Sequence, residues 1–296
     1  MAIDSAEDQR YTGVVWHTTN FVRTFPLLTA GLAMLLALLL FIVIGPIFVP
    51  EEDTRVGYVI PDQSPSREHL LGTNTMGQDM LAVIIYGTPL TLQIGLIAGV
   101  IGLVVGTIFG FVAGFFGGFW DNLFRGAADV ALTIPGFLIL VVIASTLRGA
   151  TDVMTQALIV SSLAWMFPTR TIRSQVLSMR ERGYIQIARR SGMGNLEIIG
   201  REMVPNLLPY LGASFVLAVI TAILASIGLE ALGLGPQNEP TMGMTIYWGM
   251  YYTAIIRDMW WWWFPPIVVI TYIFATLYII SAGLDQFANP RLRRRI

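Results

Sequence analysis

The chain has 296 residues, 55% of them hydrophobic and 12% charged, with a formal net charge of −1 and a mean hydropathy of +0.66. Uncharged stretches reach the ~18 to 20 residues that a bilayer crossing takes, which describes an integral membrane protein and excludes a soluble domain with a large core. There is no Cys, all 18 basic residues are Arg, and the only histidines are His17 and His69, so disulfides, thiolate metal sites, a Cys nucleophile and a lysine-dependent P-loop are excluded.

HExxH and GxSxG are absent too. Neither histidine lies in an apolar run, where it could serve an intramembrane hydrolase. No catalytic residue and no metal site is expected.

Six apolar runs follow in chain order. No charge occurs between Thr24 and Pro50, and "LLTAGLAMLLALLLFIVIGPIFV" is long enough for a first span. A cleaved leader is the alternative; about 25 residues before the run, its length and the lack of a small-residue cleavage site argue against it. From Met80 to Trp120 there is again no charge, and Gly102, Gly106, Gly110 and Gly114 recur every four residues behind Gly95 and Gly99. Small residues at that period predict a helix-packing seam in lipid.

The third run goes from Val130 to Leu147 with Pro135 near its start, and the fourth from Val153 to about Phe167, with Pro168 expected to close it. The fifth runs from about Leu207 to Leu229. The sixth, Met259 to Leu284, opens on "WWWWF" at Trp260 to Phe264, which reads as an interfacial aromatic belt. Before that opening, Asp121, Arg125 and Asp129 are spaced by four, as in an acid, base, acid ladder along one helix.

With the N-terminus inside, the inner segments hold 14 arginines: 10, 23, 125, 170, 173, 180, 182, 189, 190, 201, 291, 293, 294 and 295. The outer segments hold Arg55, Arg67, Arg148 and Arg257. The positive-inside rule therefore predicts cytoplasmic termini. The acidic group Glu51, Glu52 and Asp53 falls outside, in a loop that could face a substrate-delivering receptor, and the terminal "RLRRRI" reads as an anchor to anionic lipid rather than a nucleic-acid contact.

One stretch does not fit the apolar pattern: "YIQIARRSGMGNLEIIGREMVP", Tyr184 to Pro205. Five arginines and three glutamates lie between Arg180 and Glu202, so inserting it would cost about 20 to 28 kcal/mol at roughly 2.5 to 3.5 per charge. It stays at the surface. Helix-compatible order up to Ser191, a turn at Gly192 and Gly194, an N-cap at Asn195 and a stop at Pro205 predict two short helices joined by a tight turn.

The same stretch resembles the "EAA" loop of ABC-transporter permease subunits, whose Glu-Ala-Ala, Gly and hydrophobic-Pro positions fall here on Gln186, Ile187, Ala188, then Gly192, then Val204 and Pro205. Further motifs follow in the order of the permease branch that serves dipeptide, oligopeptide and nickel importers: "LGTNTMGQD" (Leu71 to Asp79), "GFFGGFWDNLFRGAADVALTIP" (Gly114 to Pro135), "ALGLGPQ" (Ala231 to Gln237) and "GLDQFANPRLR" (Gly283 to Arg293). The resemblance covers about residue 65 onwards.

It implies an all-α membrane protein with the six-helix fold of type I ABC importer permeases. The expected division is a segment 1–25, a first helix 26–49, an extracytoplasmic loop 50–88, a five-helix core 89–284 with a cytoplasmic coupling loop at about 168–206, and a basic tail 285–296. The implied function is the membrane subunit of an ATP-driven, binding-protein-dependent importer, for peptides first, with nickel complexes or oligosaccharides as alternatives. A membrane scaffold or sensor that does not transport is the reading from a different class.

The implied partners are a homologous permease, two cytoplasmic ATPase subunits that use ATP and Mg, and an extracytoplasmic binding protein; this chain itself would hold no cofactor. Arg182, Tyr184, Ile185, Gln186, Ala188, Arg189, Arg190, Gly192 and Gly194 would dock into the ATPase subunit, with Tyr184, Ile185 and Ala188 as the groove-filling face. Gln186 and Ile187 depart from the family's Glu and Ala. Where relatives carry a Glu in the fifth span, this chain has Ser226 and places Glu230 one turn later. As the one acid in an apolar span, Glu230 is the candidate for the substrate path.

Overall fold

The computed structural model describes residues 24–147 and 151–288. Arg10, His17, Arg23, Arg148 and the terminal "RLRRRI" lie outside the described residues.

The elements, in order, are α1 (Pro26–Phe48), a 3-10 turn at Glu51–Thr54, α2 (Met80–Phe116), α3 (Gly118–Thr133), α4 (Gly136–Thr146), α5 (Val153–Ala164), α6 (Met166–Arg180), α7 (Gly183–Arg190), α8 (Asn195–Ala231), α9 (Met242–Tyr251) and α10 (Trp260–Ala288). By length and composition α1, α2, α8 and α10 each qualify as membrane crossings, and α3 with α4 qualify together across a bend of 84°. Four or five of the six expected crossings are therefore recovered; the fourth run appears as the shorter apolar helix α5, which continues into the arginine-bearing α6.

The glycine seam finds its partners. A Cβ on Gly95 or Gly99 would strike Ile223 or Val219 of α8; on Gly102, Gly106, Gly110 or Gly114 it would strike Ala164, Pro168, Ile172 or Val176 in turn. The stepwise rise of both numbers shows that α5 and α6 run parallel to α2, backbone against backbone. At 37 residues α2 is about 55 Å long, well beyond a hydrocarbon core of about 30 Å. It begins at Met80, inside the segment assigned to a loop.

Three boundaries differ from expectation. Pro168 does not close the fourth run: Trp165 keeps helical angles between α5 and α6, Pro168 falls in the first turn of α6, where the missing N–H matters little, and Thr169 donates through both its N–H and hydroxyl to the Trp165 carbonyl. Pro205 likewise does not stop a second short helix. The backbone from Asn195 passes through a π turn, Ile198–Met203, and Pro205 sits in the first turn of the segment after it. The segment 168–206, expected as a coupling loop, is therefore mostly helix, and only 181–182 and 191–194 lie outside helical elements. The N-cap of α8 is Gly194, not Asn195.

The predicted ladder on α3 is replaced by pairing across elements. Asp121 forms a two-pronged ion pair with Arg173 of α6, and Asp129 pairs with Arg170 at 3.5 Å. The four-residue spacing does align the acids, but α6 offers guanidinium groups along the whole face, so α3 is strapped down to α6.

Candidate functional site

Helix α7 is the most strongly two-faced element. Ile185 and Ala188 are buried and Tyr184 half-buried, whereas Arg182, Gln186, Ile187, Arg189 and Arg190 are exposed. Its buried face packs inside this chain, in a cluster with Phe111, Phe115, Ile172, Val176, Met179, Ile198, Met203 and Leu207. This corrects the expected groove-filling role of Tyr184, Ile185 and Ala188: the ends of α2, α6 and α8 already form a groove around them. The Tyr184 hydroxyl is buried there without a hydrogen-bond partner among the described residues.

The helix ends in a Schellman motif. Gly192 N–H donates to the Arg189 carbonyl at 3.2 Å and Met193 N–H to the Ala188 carbonyl at 3.2 Å, with Gly192 at φ +88°. That left-handed residue closes a helix end with little strain only as glycine. A Cβ on Gly192 or Gly194 would meet nothing within 4 Å, so backbone angle, not crowding, accounts for Gly192. Arg189 lies 5.8 Å over the Phe115 ring, which holds the end of α7 to α2.

The surface left open consists of Arg182, Gln186, Ile187 and Arg190, and Leu196 on the first turn of α8 is exposed as well. Ile187 is 67% exposed and Leu196 78%. Two bare aliphatic side chains among arginines are the composition of a docking face. By sequence order Leu196 falls with Ile198, Ile199 and Met203 in one short apolar face; the structure buries Ile198 and Met203 and leaves Leu196 bare.

At the opposite end of the bundle, Glu230 has no exposed surface. Its carboxylate accepts from the Ser226 hydroxyl at 2.6 Å, the Thr241 hydroxyl at 2.6 Å and the Met244 N–H at 3.1 Å. Thr241 is the N-cap of α9, so the acid satisfies the start of α9 and ties it to α8. Gly235 and Gly243 have no Cβ because Glu230 occupies that space. The candidate for the substrate path is thus enclosed by its own chain. Ser226, where the resemblance implied an acid, donates to the acid that stands one turn later.

The segment after α1 forms a knot that sequence reasoning left as a plain loop. Thr73 hydroxyl donates to the Ile60 carbonyl at 2.7 Å, Asn74 to Gln78 at 2.7 Å, and Asp79 caps α2 through Leu81 and Ala82 N–H. His69 Nδ1 lies 2.7 Å from Asp79. Thr73, Asn74, Gln78 and Asp79, all in "LGTNTMGQD", are buried. Arg257 clamps the knot from the loop before α10 through Asp62 at 2.7 Å and Thr75 at 2.7 Å, and Trp261 donates to the Thr73 carbonyl at 3.1 Å. The belt reading of "WWWWF" fits Trp260 and Phe264, which are exposed, but Trp262 is fully buried against Met80, Val83, Ala254 and Met259.

The family of binding-protein-dependent transport system inner membrane components is matched over residues 106–294. The chain is 30% identical over 222 residues to the oligopeptide transport system permease protein OppC of Mycobacterium tuberculosis, a stretch that covers 74% of this chain and 76% of that protein. It is 29% identical over 266 residues, 89% of this chain and 87% of the other, to a Brucella suis protein provisionally named a peptide transport system permease. The matched region takes in α3 to α10, the glycine seam below Gly106, the α7 surface and Glu230. This multi-pass all-α chain, with the type I importer permease fold, therefore belongs to the family of binding-protein-dependent transport system inner membrane components.

Proposed function

We propose that the chain is the transmembrane permease subunit of an ATP-driven, binding-protein-dependent importer of oligopeptides or dipeptides. The relatives' names point to peptides rather than to nickel complexes or oligosaccharides. The chain pairs with a homologous permease and lines half of the path; two ATPase subunits carry ATP and Mg, and this chain holds no cofactor and does no chemistry. Both termini are cytoplasmic, following the arginine distribution.

The observation that carries the coupling role is α7: an eight-residue helix with its inner face locked into the ends of three long helices and its outer face bare. A push on Arg182, Gln186, Ile187 or Arg190 reaches α2, α6 and α8 through close-packed side chains, which do not yield individually. Ile185, Ala188 and Tyr184 transmit the push, Arg189 anchors the helix to Phe115, and Gly192 with Gly194 allows the return into α8.

The test is reconstitution with the partner permease, ATPase subunits and binding protein. Ile187→Glu should abolish peptide uptake and substrate-stimulated ATP turnover while leaving insertion and thermal stability unchanged. Gly192→Val should lower both coupling and stability. Full coupling in Ile187→Glu would overturn the assignment of this face, and a complex that takes up no peptide would overturn the substrate class.

A further inference from the structure

A cavity of about 540 Å³ opens between the knot and the segment from Gln237 to Trp262, on the face opposite α7. That is within the size range of small-ligand sites. Its walls separate into two kinds of group. Asn74 and Gln78 spend their amides on each other and on the Thr54 carbonyl, so they are scaffold. Glu51, Glu239, Gln237 and Asn238 border the same space, and neither Glu51 nor Glu239 has an ion-pair partner among the described residues. Arg55 borders it too and has only a loose contact with Glu52 at 3.9 Å.

The floor is aromatic: Tyr86, Trp248 and Trp262. Trp262 is fully buried and its indole N–H has no acceptor among the described residues. Gln237 donates to the Gly233 carbonyl at 3.3 Å, which leaves unpaired acids, a weakly engaged guanidinium and the Asn238 amide around one aromatic floor, and these match the groups of a short peptide with free ends. Its ammonium meets Glu51 or Glu239, its carboxylate meets Arg55, its backbone meets the Asn238 amide, and its side chains lie on Tyr86 and Trp248.

We infer that this cavity is a peptide-binding subsite on the extracytoplasmic side of the chain, which receives a short zwitterionic peptide before it enters the path. The inference rests on the peptide-import reading above and names the residues that would recognise the cargo. It also explains why the knot is fastened at three points, to Arg257, Trp261 and α2: a recognition wall must be held in register with the groups opposite it.

The chain has no cysteine, so single cysteines report on this surface without background from it. In the complex assembled without its binding protein, Val56→Cys, exposed at the cavity rim, is labelled with a maleimide while trialanine is titrated. Ile256→Cys, 82% exposed and not among the cavity's lining residues, is the control. At trialanine ten times its Kd, labelling at position 56 should slow about tenfold and labelling at 256 should not change. N-acetyl-trialanine amide, which lacks both end charges, should protect far less, and adding Arg55→Gln with Glu239→Gln should remove the protection.

Unchanged labelling at position 56 over all trialanine concentrations, equal slowing at both positions, or full protection in the charge-removed variant would each overturn the subsite. Uptake of labelled trialanine by the complete complex is measured in parallel. Uptake without protection sinks the subsite and leaves the peptide-import reading standing; protection without uptake sinks the import reading and leaves the subsite.

Discussion

Gly106→Ala tests the packing seam directly. A Cβ at this position would stand 2.6 Å from Pro168 Cβ, 2.9 Å from the Trp165 carbonyl oxygen and 3.1 Å from Thr169 N. Two of the three obstacles are backbone and the third is a ring, so none can swing aside. Reaching ordinary contact at about 3.4 Å requires α2 and the α5–α6 pair to part locally by ~0.8 Å, enough to forfeit a quarter to a half of the dispersion energy of the lining atoms. Overpacking of this kind typically costs about 1 to 3 kcal/mol, offset by about 1 kcal/mol from the better helix propensity of Ala.

Gly126→Ala is the matched control, since it lies within α3 and its Cβ would meet nothing within 4 Å; it should gain that ~1 kcal/mol without the clash. The two variants should thus differ by about 1 to 3 kcal/mol. In thermal unfolding of the detergent-solubilised chain that is roughly 2 to 10 °C, by the size scaling of soluble domains. Gly106→Ala melting at or above Gly126→Ala would refute the close approach of these helices.

Three further outcomes follow from the geometry. Ile185→Ala empties a fully buried position at the foot of α7 and should destabilise by about 2 to 5 kcal/mol, whereas Ile187→Ala should be neutral to thermal unfolding; equal losses would contradict the two-faced assignment. Glu230→Ala leaves the Ser226 and Thr241 hydroxyls and the Met244 N–H without their acceptor and should cost about 3 kcal/mol or more, Glu230→Gln less, measured by the same melts; unaltered melting of both would show that the acid does not hold α9. For Asp62, burial would raise the carboxyl pKa, but hydrogen bonds from Thr75 and Arg257 and the charge of Arg257 outweigh it and hold the value below the usual range. A depressed carboxyl stabilises above its unfolded value of about 3.9, and the gain is lost as pH falls through the lower folded value. Arg257→Gln should therefore melt below the unmodified chain at pH 6, with the gap closing below about pH 4; a gap unchanged at pH 3 would refute the latch.

Much of this architecture was legible in the residues alone. Apolar run length places the crossings, because a bilayer core imposes a minimum span on any helix that traverses it. The four-residue glycine period announces a close-packed face, because only small residues let helices associate tightly in lipid. Charge density keeps Tyr184 to Pro205 out of the apolar layer, and the motifs place the chain among ABC importer permeases. Prolines were the weakest guide. Pro168 and Pro205 read as stops, but a proline in the first turn of a helical segment gives up a hydrogen bond that turn does not need, and whether it starts or ends a helix depends on what the neighbouring backbone does.

What the pattern could not supply is which face of an element meets which neighbour. In α7 the period separates Ile185 and Ala188 from Gln186 and Ile187, but both sets include an aliphatic side chain, so composition did not say which set faces inward. The ends of α2, α6 and α8 decide it, by forming a cluster around Ile185 and leaving Ile187 bare. Asp121 and Asp129 carry the right spacing for a ladder with Arg125, yet Arg173 and Arg170 reach them from α6. Glu230 looked like an acid facing the path because it stands alone in its span; its partners Thr241 and Met244 lie more than ten residues away in the chain. Local periodicity is a property of one helix, whereas the partner of a charge or a ridge is set by how separate helices are brought together, and that information exists only in the tertiary structure.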